Sequence, residues 1–182
     1  MSIDTAFTHF PTLTTERLVL RQIRGEDVEA LFAILSDPQV IEFYGSEPHH
    51  SLADTQAMIE KIEERYARRE ALRWGVTFKG EDRLLGTCSF HHFDAAYHRA
   101  ETGYELNRAH WRQGIMYEAV SAVLTCGFTE LCLGRIEALI DIDNAGSKGL
   151  LLKLGFTYEG NLRQRYSLGD QFVDEHYFGL LR

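Results

Sequence analysis

A single glycine stands before a predicted amphipathic helix in the segment RAHWRQGIMYEAV, from Arg108 to Val120. Gly114 permits a tight turn, and the helix after it begins with main-chain N–H groups that have no acceptor within the helix. With the positive end of the helix dipole, these groups suit an anion such as a phosphate, and Arg112 adds a cation. A turn without any ligand explains the glycine equally. Because neither GxGxxG nor GxxxxGK[ST] is present, the sequence disfavours dinucleotide and P-loop sites.

A second segment, NAGSKGLLLKLGFTYEG, combines chemistry-bearing residues with helix-end signals. Asn144 follows a predicted buried strand, and Ser147 stands three residues later near the start of a short helix. Gly155 lies where helices commonly end on a left-handed residue. Capping alone explains Asn144 and Gly155, so a chemical role in this segment needs further support.

The elements that must position these segments begin with a strand and two helices. RLVLRQI, residues 17–23, alternates apolar and polar side chains, and residues 25–37 follow with helical spacing. Asp37-Pro38 is predicted to end that helix, because the residue before proline disfavours helical geometry. A second helix is predicted from about Ser51 to Glu70 with Ser51 as its N-cap. The loop between them, residues 40–50, is a candidate acceptor-binding loop.

The rest of the chain predicts strands interrupted by two helices. RWGVTF and RLLGTCSF flank the turn KGED and predict a hairpin. A helix with an apolar stripe from Met116 to Phe128, the strand RIEALIDI, a short helix and a hairpin closing at Gly169-Asp170 follow. HRAETGYEL predicts a strand that places Thr102, Tyr104 and Leu106 on one face and Glu101, Gly103 and Glu105 on the other. We therefore predict one α/β (α+β) domain over residues 1–182, with meandering strands before a β-α-β-α-β half.

Composition narrows the function classes. The chain has 45% apolar and 25% charged residues and a net charge of −8, which argues against nucleic-acid binding. Cys88, Cys126 and Cys132 form neither a CxxC pair nor a Cys/His metal spacing, so we expect buried thiols in a reducing compartment and no metal. No basic-then-apolar signal opens the chain, and no apolar run approaches the roughly 20 residues that span a bilayer. We expect a cytoplasmic protein without a membrane partner.

Four segments in order resemble one enzyme family. They are TERLVLRQI with Asp27 and LSDPQV, then LLGTCSF, then AETGYELNRAHWRQGIMYEA, then NAGSKGLLLKLGFTYEG. Together they resemble the GNAT superfamily of acetyl-CoA-dependent N-acetyltransferases, and within it the ribosomal-protein N-terminal acetyltransferases of the RimJ/RimL type. The resemblance runs from about Thr14 to the C-terminus. It implies the GNAT fold, a mixed and mostly antiparallel central sheet flanked by helices.

The resemblance implies acetyl-CoA as cosubstrate and no metal. The pyrophosphate of CoA would bind the turn and helix start formed by Arg112, Gln113, Gly114, Ile115, Met116 and Tyr117. The main chain around Leu106 and Asn107 would pair with the pantetheine arm like an added strand. Asn144 and Ser147 would flank the pantetheine and the thioester.

The implied reaction is direct attack of a neutral amine on the acetyl thioester, with Glu101, Asn144 and Ser147 as the catalytic residues. Glu101 is the first candidate base, acting directly or through water, and Glu105 is the second. In many members of the superfamily, a tyrosine at the position of Leu151 acts as the general acid. Because this chain has leucine there, the resemblance points to the serine of the N-x-x-S segment, Ser147, as the acid. Four histidines can titrate near neutrality, but the sequence identifies no partner for them: His91, His92, His98 and His110.

Two positions depart from the family pattern. The glycine turn usually ends in a small residue, and Met116 stands there, so the CoA phosphates are expected to sit less closely. An arginine is common two residues after the serine, and Gly149 stands there beside Lys148. This change weakens the expected recognition of the adenosine phosphate.

The sequence leaves the acceptor open between three alternatives. A protein N-terminus is favoured by the resemblance, a small polyamine or amino sugar is the second alternative, and a CoA-binding module without catalysis is the third. Pairing of two copies into a homodimer through the C-terminal hairpin also stays open.

Overall fold

The chain folds around one eight-stranded sheet in a computed structural model that describes residues 3–168 and 171–182. The strands are β1 (Leu13–Thr14), β2 (Leu18–Gln22), β3 (Ala71–Phe78), β4 (Gly86–Asp94), β5 (Arg99–Leu106), β6 (Arg135–Asp141), β7 (Thr157–Leu168) and β8 (Gln171–Leu181). The helices are α1 (Ile3–Ala6), α2 (Val28–Leu35), α3 (Pro38–Ile41), α4 (Leu52–Ala67), α5 (Ile115–Thr129) and α6 (Ala145–Lys153).

The sheet is mixed and mostly antiparallel, as predicted. Its strand order is β1-β2-β3-β4-β5-β6-β8-β7, and β5 and β6 form a parallel pair between antiparallel neighbours. The predicted hairpin around the turn KGED is β3 and β4, with Trp74 opposite Cys88. The predicted closing turn Gly169-Asp170 lies outside the described residues, while the strands on either side of it, β7 and β8, pair antiparallel.

Helices cover both faces of the sheet because the strands alternate apolar side chains. On one face, α5 buries Ile115, Ala119 and Val123 in a cluster that includes Trp74 and Phe90 of the sheet. On the other face, α2 and α4 bury a second cluster of Ile23, Leu31, Leu35, Ile41, Ile59 and Leu84. The apolar stripe predicted for α5 is therefore its buried face.

The helix ends follow local capping chemistry. Ser51 caps α4, and its side chain and that of Asp54 form the reciprocal bonds of a capping box. The helix ends at Ala67, three residues before the predicted Glu70. Asp37-Pro38 ends α2 as predicted but also begins α3, because a proline suits the first position of a helix and Asp37 accepts a bond from the Gln39 N–H.

The family-like residues near the N-terminus serve the fold. The guanidinium of Arg21 donates two bonds of 2.8 Å to the Asp27 carboxylate, and both side chains are below 10% exposed. Breaking such a buried pair costs about 3–5 kcal/mol, because the remaining charge is left without a partner. Asp27 also accepts the Arg24 N–H at the start of the helix that leads into α2. The pair therefore fixes how the chain passes from β2 to α2.

No helix in the described ranges, 3–168 and 171–182, has both the length and the apolarity needed to cross a membrane.

Candidate active site

The central feature of the site is a gap between two parallel strands. β5 and β6 pair only from Arg99–Glu101 to Arg135–Glu137, although β5 continues to Leu106 and β6 to Asp141. The Asn107 N–H donates to the Leu85 carbonyl at 2.8 Å, and alternation in an antiparallel ladder turns the main chain of Leu106 and Tyr104 away from β4. The gap therefore exposes main-chain groups of β5. One of them, the Leu106 carbonyl, accepts the indole N–H of Trp111 at 2.8 Å.

The main chain of Asn107 lies outside this gap. Its N–H is used by Leu85, its carbonyl accepts the His110 N–H at 2.9 Å, and its side chain accepts the Ala109 N–H. Asn107 thus shapes the short turn after β5. Of the two positions predicted to pair with pantetheine, only Leu106 has its main chain directed toward the gap.

The exposed turn before α5 leads directly into the first N–H groups of the helix. Gly114 is the N-cap residue with φ 75°, and Arg112 two residues earlier has φ 60°. Both residues and Gln113 are exposed. The N–H groups of Ile115, Met116 and Tyr117 belong to the first turn of a helix, where no intrahelical acceptor exists. This arrangement is an anion-binding geometry.

Residues before β2 hold this turn in place. The Arg17 guanidinium donates to the Glu118 carboxylate at 2.6 Å and to the Gln113 carbonyl at 3.2 Å. Thr15 and the Arg17 N–H bind the same carboxylate. Partial burial opposes ionisation of Glu118, but the hydrogen bonds from Thr15 and Arg17 outweigh it and lower its pKa. The acid in the first turn of α5 is thereby paired with a cation beside the anion-binding geometry.

The two departures from the family pattern have different structural settings. The Met116 side chain is buried, with its sulfur 3.4 Å from the Cys88 sulfur, so it points into the core rather than over the exposed turn. Its size therefore does not crowd the turn, contrary to the expectation from the sequence. A side chain at Gly149 would meet open space. Lys153, at the end of the same helix, places its ammonium 4.6 Å from the Tyr117 ring centroid.

A hydroxyl pair lies where α6 begins. The Asn144 side chain caps α6 by accepting the Ser147 N–H at 2.9 Å. The Ser147 hydroxyl is 2.7 Å from the Tyr104 hydroxyl. Burial raises the pKa of Tyr104, which therefore stays protonated near neutrality and can donate. Leu151, at the position of the superfamily tyrosine, is fully buried in the core.

Sequence reasoning assigned Tyr104 only to a strand face. The face is correct, because Tyr104 lies opposite Cys88, whose sulfur contacts Met116 of α5. Two features of the sequence could have drawn attention to Tyr104. It stands on the strand before the turn, and leucine stands at position 151, where many members of the superfamily have a tyrosine.

A carboxylate and two imidazoles meet at the other side of the sheet. His92 Nδ1 lies 2.9 Å and His91 Nε2 3.6 Å from the Glu101 carboxylate. Partial burial raises the pKa of Glu101, but hydrogen bonds with His91 and His92 dominate and lower it to about 2. Two adjacent strand residues reach one carboxylate because the β4–β5 register shifts after His91 and His92 has φ 49°.

The other residues considered from the sequence, Glu105, His98 and His110, take part in contacts of the fold or lie at the surface. Glu105 is buried, accepts the Thr87 hydroxyl, and lies 3.4 Å from the Arg73 guanidinium, which also donates to the Tyr44 hydroxyl at 2.8 Å. This network ties the loop of residues 40–50 to β5. The His110 ring packs against the Phe78 ring, and His98 lies exposed before β5.

One cavity of about 630 Å³ joins these groups. It is lined by side chains from both faces of the sheet, including Glu101 and His91 on one and Tyr104 and Ser147 on the other, so it passes through the gap. Phe43, Tyr44 and Gly45 of the predicted acceptor loop and Met58, Lys61, Ile62 and Arg65 of α4 form its outer wall.

Carboxylates and basic side chains line this cavity in equal number: Glu101, Glu105, Asp141 and Glu175, and Lys61, Arg65, Arg73 and Arg165. Burial raises the pKa of Glu175, and the negative charges of Glu101 and Asp141 raise it further. Asp141 accepts the Tyr166 hydroxyl at 3.0 Å. The cavity therefore offers carboxylates and cations on the same wall.

Known proteins share this architecture and sequence. The family model described as an acetyltransferase (GNAT) domain matches residues 17–157. The N-acetyltransferase YoaA of Bacillus subtilis strain 168 is 43% identical over 155 residues, covering 85% of this chain and 88% of YoaA. The [ribosomal protein uS5]-alanine N-acetyltransferase of Escherichia coli K12 is 26% identical over 167 residues, covering 89% and 86%.

Solved structures agree with the fold. A GNAT-family acetyltransferase from Bacillus anthracis superposes with a TM-score of 0.84 at 28% identity, covering 94% of this chain and 98% of that one. RimJ from Mycobacterium smegmatis, in complex with a CoA disulfide, superposes with a TM-score of 0.83 at 21% identity, covering 94% and 87%. GNAT neighbours of this chain thus bind CoA. The chain belongs to the GNAT acetyltransferase family and is an acetyltransferase.

Proposed function

We propose that the protein transfers the acetyl group of acetyl-CoA to a primary amine by direct attack, and that the acceptor is the α-amine of a protein N-terminus. The observation that carries the proposal is the shared cavity. Glu101 with its two histidines and Ser147 with Tyr104 line it together, so a proton acceptor and a proton donor lie on opposite sides of the gap. Ribosomal-protein acetyltransferases among the relatives support the choice of acceptor.

In this proposal, main-chain groups hold acetyl-CoA. The turn at Gly114 and the first N–H groups of α5 bind the pyrophosphate, and Arg112 adds charge. Pantetheine lies along the exposed edge of β5, where Tyr104 and Leu106 offer main-chain groups. The thioester then sits beside the start of α6, capped by Asn144. Lys153 supplies the cation on α6 that Gly149 does not.

The leaving thiolate is protonated by the hydroxyl pair. When the amine nitrogen bonds to the carbonyl carbon and the C–S bond breaks, negative charge develops on sulfur. The N-terminus of α6 stabilises that charge, and Ser147 donates its proton to the sulfur. Tyr104, protonated and 2.7 Å away, returns a proton to Ser147 and is itself reprotonated from the solvent that reaches it through the cavity. Tyr104 thus takes a part that the superfamily gives to a tyrosine at the Leu151 position.

The proton of the amine is accepted by Glu101, His91 and His92 as one group. A carboxyl group with a pKa of about 2 is a weak base on its own. An imidazole nitrogen can accept the proton instead, and the Glu101 carboxylate, 2.9 Å from His92 Nδ1, orients that ring. The catalytic role expected of Glu101 is therefore shared with the two histidines.

The cavity supports an amine acceptor of limited size. Carboxylates of Glu101, Asp141 and Glu175 favour a cation, and the outer wall adds Lys61 and Arg65, which suit the carbonyl groups of a peptide. The same carboxylates also favour a small polyamine or amino sugar, which is the second candidate. The thiols of Cys88 and Cys126 are buried as predicted, whereas Cys132 is exposed, contrary to the expectation from its apolar surroundings in the sequence. Buried thiols fit the proposed cytoplasmic location.

A panel of amines tests the function. CoA release from acetyl-CoA is measured with peptides that begin with free Ala or Ser, the same peptides N-acetylated, spermidine and an aminoglycoside. We expect release with the free peptides only, with the acetyl group on the α-amine by mass spectrometry. A higher kcat/KM for spermidine or the aminoglycoside than for the free peptides would contradict the peptide acceptor and favour a small amine. Binding of acetyl-CoA with no release for any amine would favour the module without catalysis.

Replacing Gly114 with valine tests the proposed pyrophosphate turn. A β-branched residue at φ 75° is strained, so the main-chain N–H groups should shift and weaken acetyl-CoA binding at least about tenfold. Isothermal titration with acetyl-CoA gives the affinity. Gly80→Val is the control, because Gly80 has φ 82° in open space in the β3–β4 turn. Equal affinities in the two variants would refute the phosphate role of the turn.

Removing the hydroxyls tests the acid. Ser147→Ala should lower kcat by roughly 10²-fold, the lower range for general acid catalysis, with unchanged affinity for acetyl-CoA. Tyr104→Phe should lower kcat in the same direction while keeping the ring packed. Full turnover in Ser147→Ala would exclude it as the acid, and full turnover in Tyr104→Phe would exclude the relay.

The proton-accepting group predicts non-additive losses. Glu101→Gln, His91→Ala and His92→Asn should each lower kcat/KM for the amine, and combining them should cost little more than the worst single change, as for residues that act together. Since Glu101 stays ionised down to a pKa of about 2, its own protonation should not lower kcat/KM until the pH approaches that value. If the kcat/KM losses of the single variants instead multiply in the combined variant, the histidines and Glu101 act independently.

A further inference from the structure

We propose that His91, His92 and Glu101 form a binding site for one divalent transition-metal ion such as Zn²⁺, opening onto the acceptor cavity. Their ligand atoms, two imidazole nitrogens and a carboxylate oxygen, all lie within 4.8 Å of one another. No Cys/His spacing in the sequence predicted this site.

The distances are close to those of a metal centre. Ligand atoms about 2.0–2.2 Å from a tetrahedral Zn²⁺ are about 3.4 Å from one another. The Glu101 carboxylate is already 2.9 Å from His92 Nδ1 and 3.6 Å from His91 Nε2. All three ligand atoms lie within 4.8 Å of one another, so side-chain rotations that bring the two imidazole nitrogens to about 3.4 Å are needed to admit the ion.

The donor set selects the ion. Two imidazoles with one carboxylate suit Zn²⁺, Co²⁺ or Ni²⁺, whereas Mg²⁺ and Ca²⁺ prefer oxygen ligands. The side chains of His91, His92 and Glu101 are 25%, 65% and 23% exposed, so an ion can enter and keep open positions for water. Three protein ligands and an open position are typical of accessible zinc sites.

The fold keeps the ligands together without the ion. The register shift after His91 and the left-handed backbone of His92 turn both rings toward Glu101. The other ring nitrogen of His91, Nδ1, lies 3.4 Å from the Ser89 hydroxyl, which fixes the ring as outer contacts of metal-binding histidines do.

Occupation by the ion has a consequence that rests on the proposed function. An imidazole nitrogen bound to a metal cannot accept a proton, and the coordinated carboxylate cannot orient a free imidazole. The ion therefore inhibits acetyl transfer, and a chelator restores it.

Cobalt binding tests the site directly. Protein without a polyhistidine tag is treated with chelator and titrated with Co²⁺, whose ligand-field absorption reports the coordinated state. We expect one Co²⁺ per chain, displaced by Zn²⁺. His92→Asn and Glu101→Gln should each weaken binding at least about tenfold, because each removes a ligand; Asn is used since it tolerates positive φ. No saturable absorption in the natural protein would overturn the site.

His98→Asn is the matched control. His98 is exposed, has φ 50° like the 49° of His92, and lies outside the cluster, so this variant should bind Co²⁺ as the natural protein does. If the His98 and His92 variants lose Co²⁺ binding equally, the loss comes from backbone strain rather than from a missing ligand, and the proposal is overturned. Circular dichroism verifies that each variant is folded.

Inhibition is measured separately from binding. If Co²⁺ binds at the cluster but no amine is acetylated, the metal site stands and the proposed function fails. If amines are acetylated and Co²⁺ gives no absorption, the function stands and the metal site fails. Zn²⁺ should inhibit the natural protein and the His98 variant at the same concentration.

Discussion

The divergence of β5 from β6 is the constraint on which the rest of the site depends. After the pair Glu101–Glu137 the two strands no longer bond, and the main chain of Tyr104 and Leu106 is left at an open edge. The Trp111 indole satisfies the Leu106 carbonyl, and the other main-chain groups along this edge pair with no strand of the described sheet, so a ligand that supplies hydrogen bonds is favoured there. The same divergence lets one cavity reach both faces of the sheet.

Much of the fold could be predicted from the sequence because its signals are local. The Ser51 cap, the KGED hairpin and the apolar stripe of α5 each depend on residues within a few positions, and each was found. Asp37-Pro38 shows the limit of such rules. Proline ends one helix and suits the first turn of another, and both occur here because Asp37 caps α3 and Ile41 is buried in the second core cluster.

The side-chain partnerships of the candidate site could not be predicted, because they join residues far apart in the chain. The hydroxyls of Tyr104 and Ser147 meet only when β5 and the start of α6 lie side by side. His91 and His92 reach one carboxylate only because the β4 backbone departs from regular alternation. A strict period of two would have sent one of these rings to the opposite face.

The open edge of β5 presents main-chain N–H and C=O groups, and these groups hardly depend on which side chain the residue carries. A cofactor held there by peptide groups constrains few amino-acid types, so relatives can diverge widely in sequence while keeping the same donor. The outer wall of the cavity is different, since it consists of side chains from the loop of residues 40–50 and from α4, with hairpin residues such as Tyr166 and Glu175 nearby. If this wall binds the acceptor as proposed, its side chains, rather than overall identity, are the ones to compare between relatives.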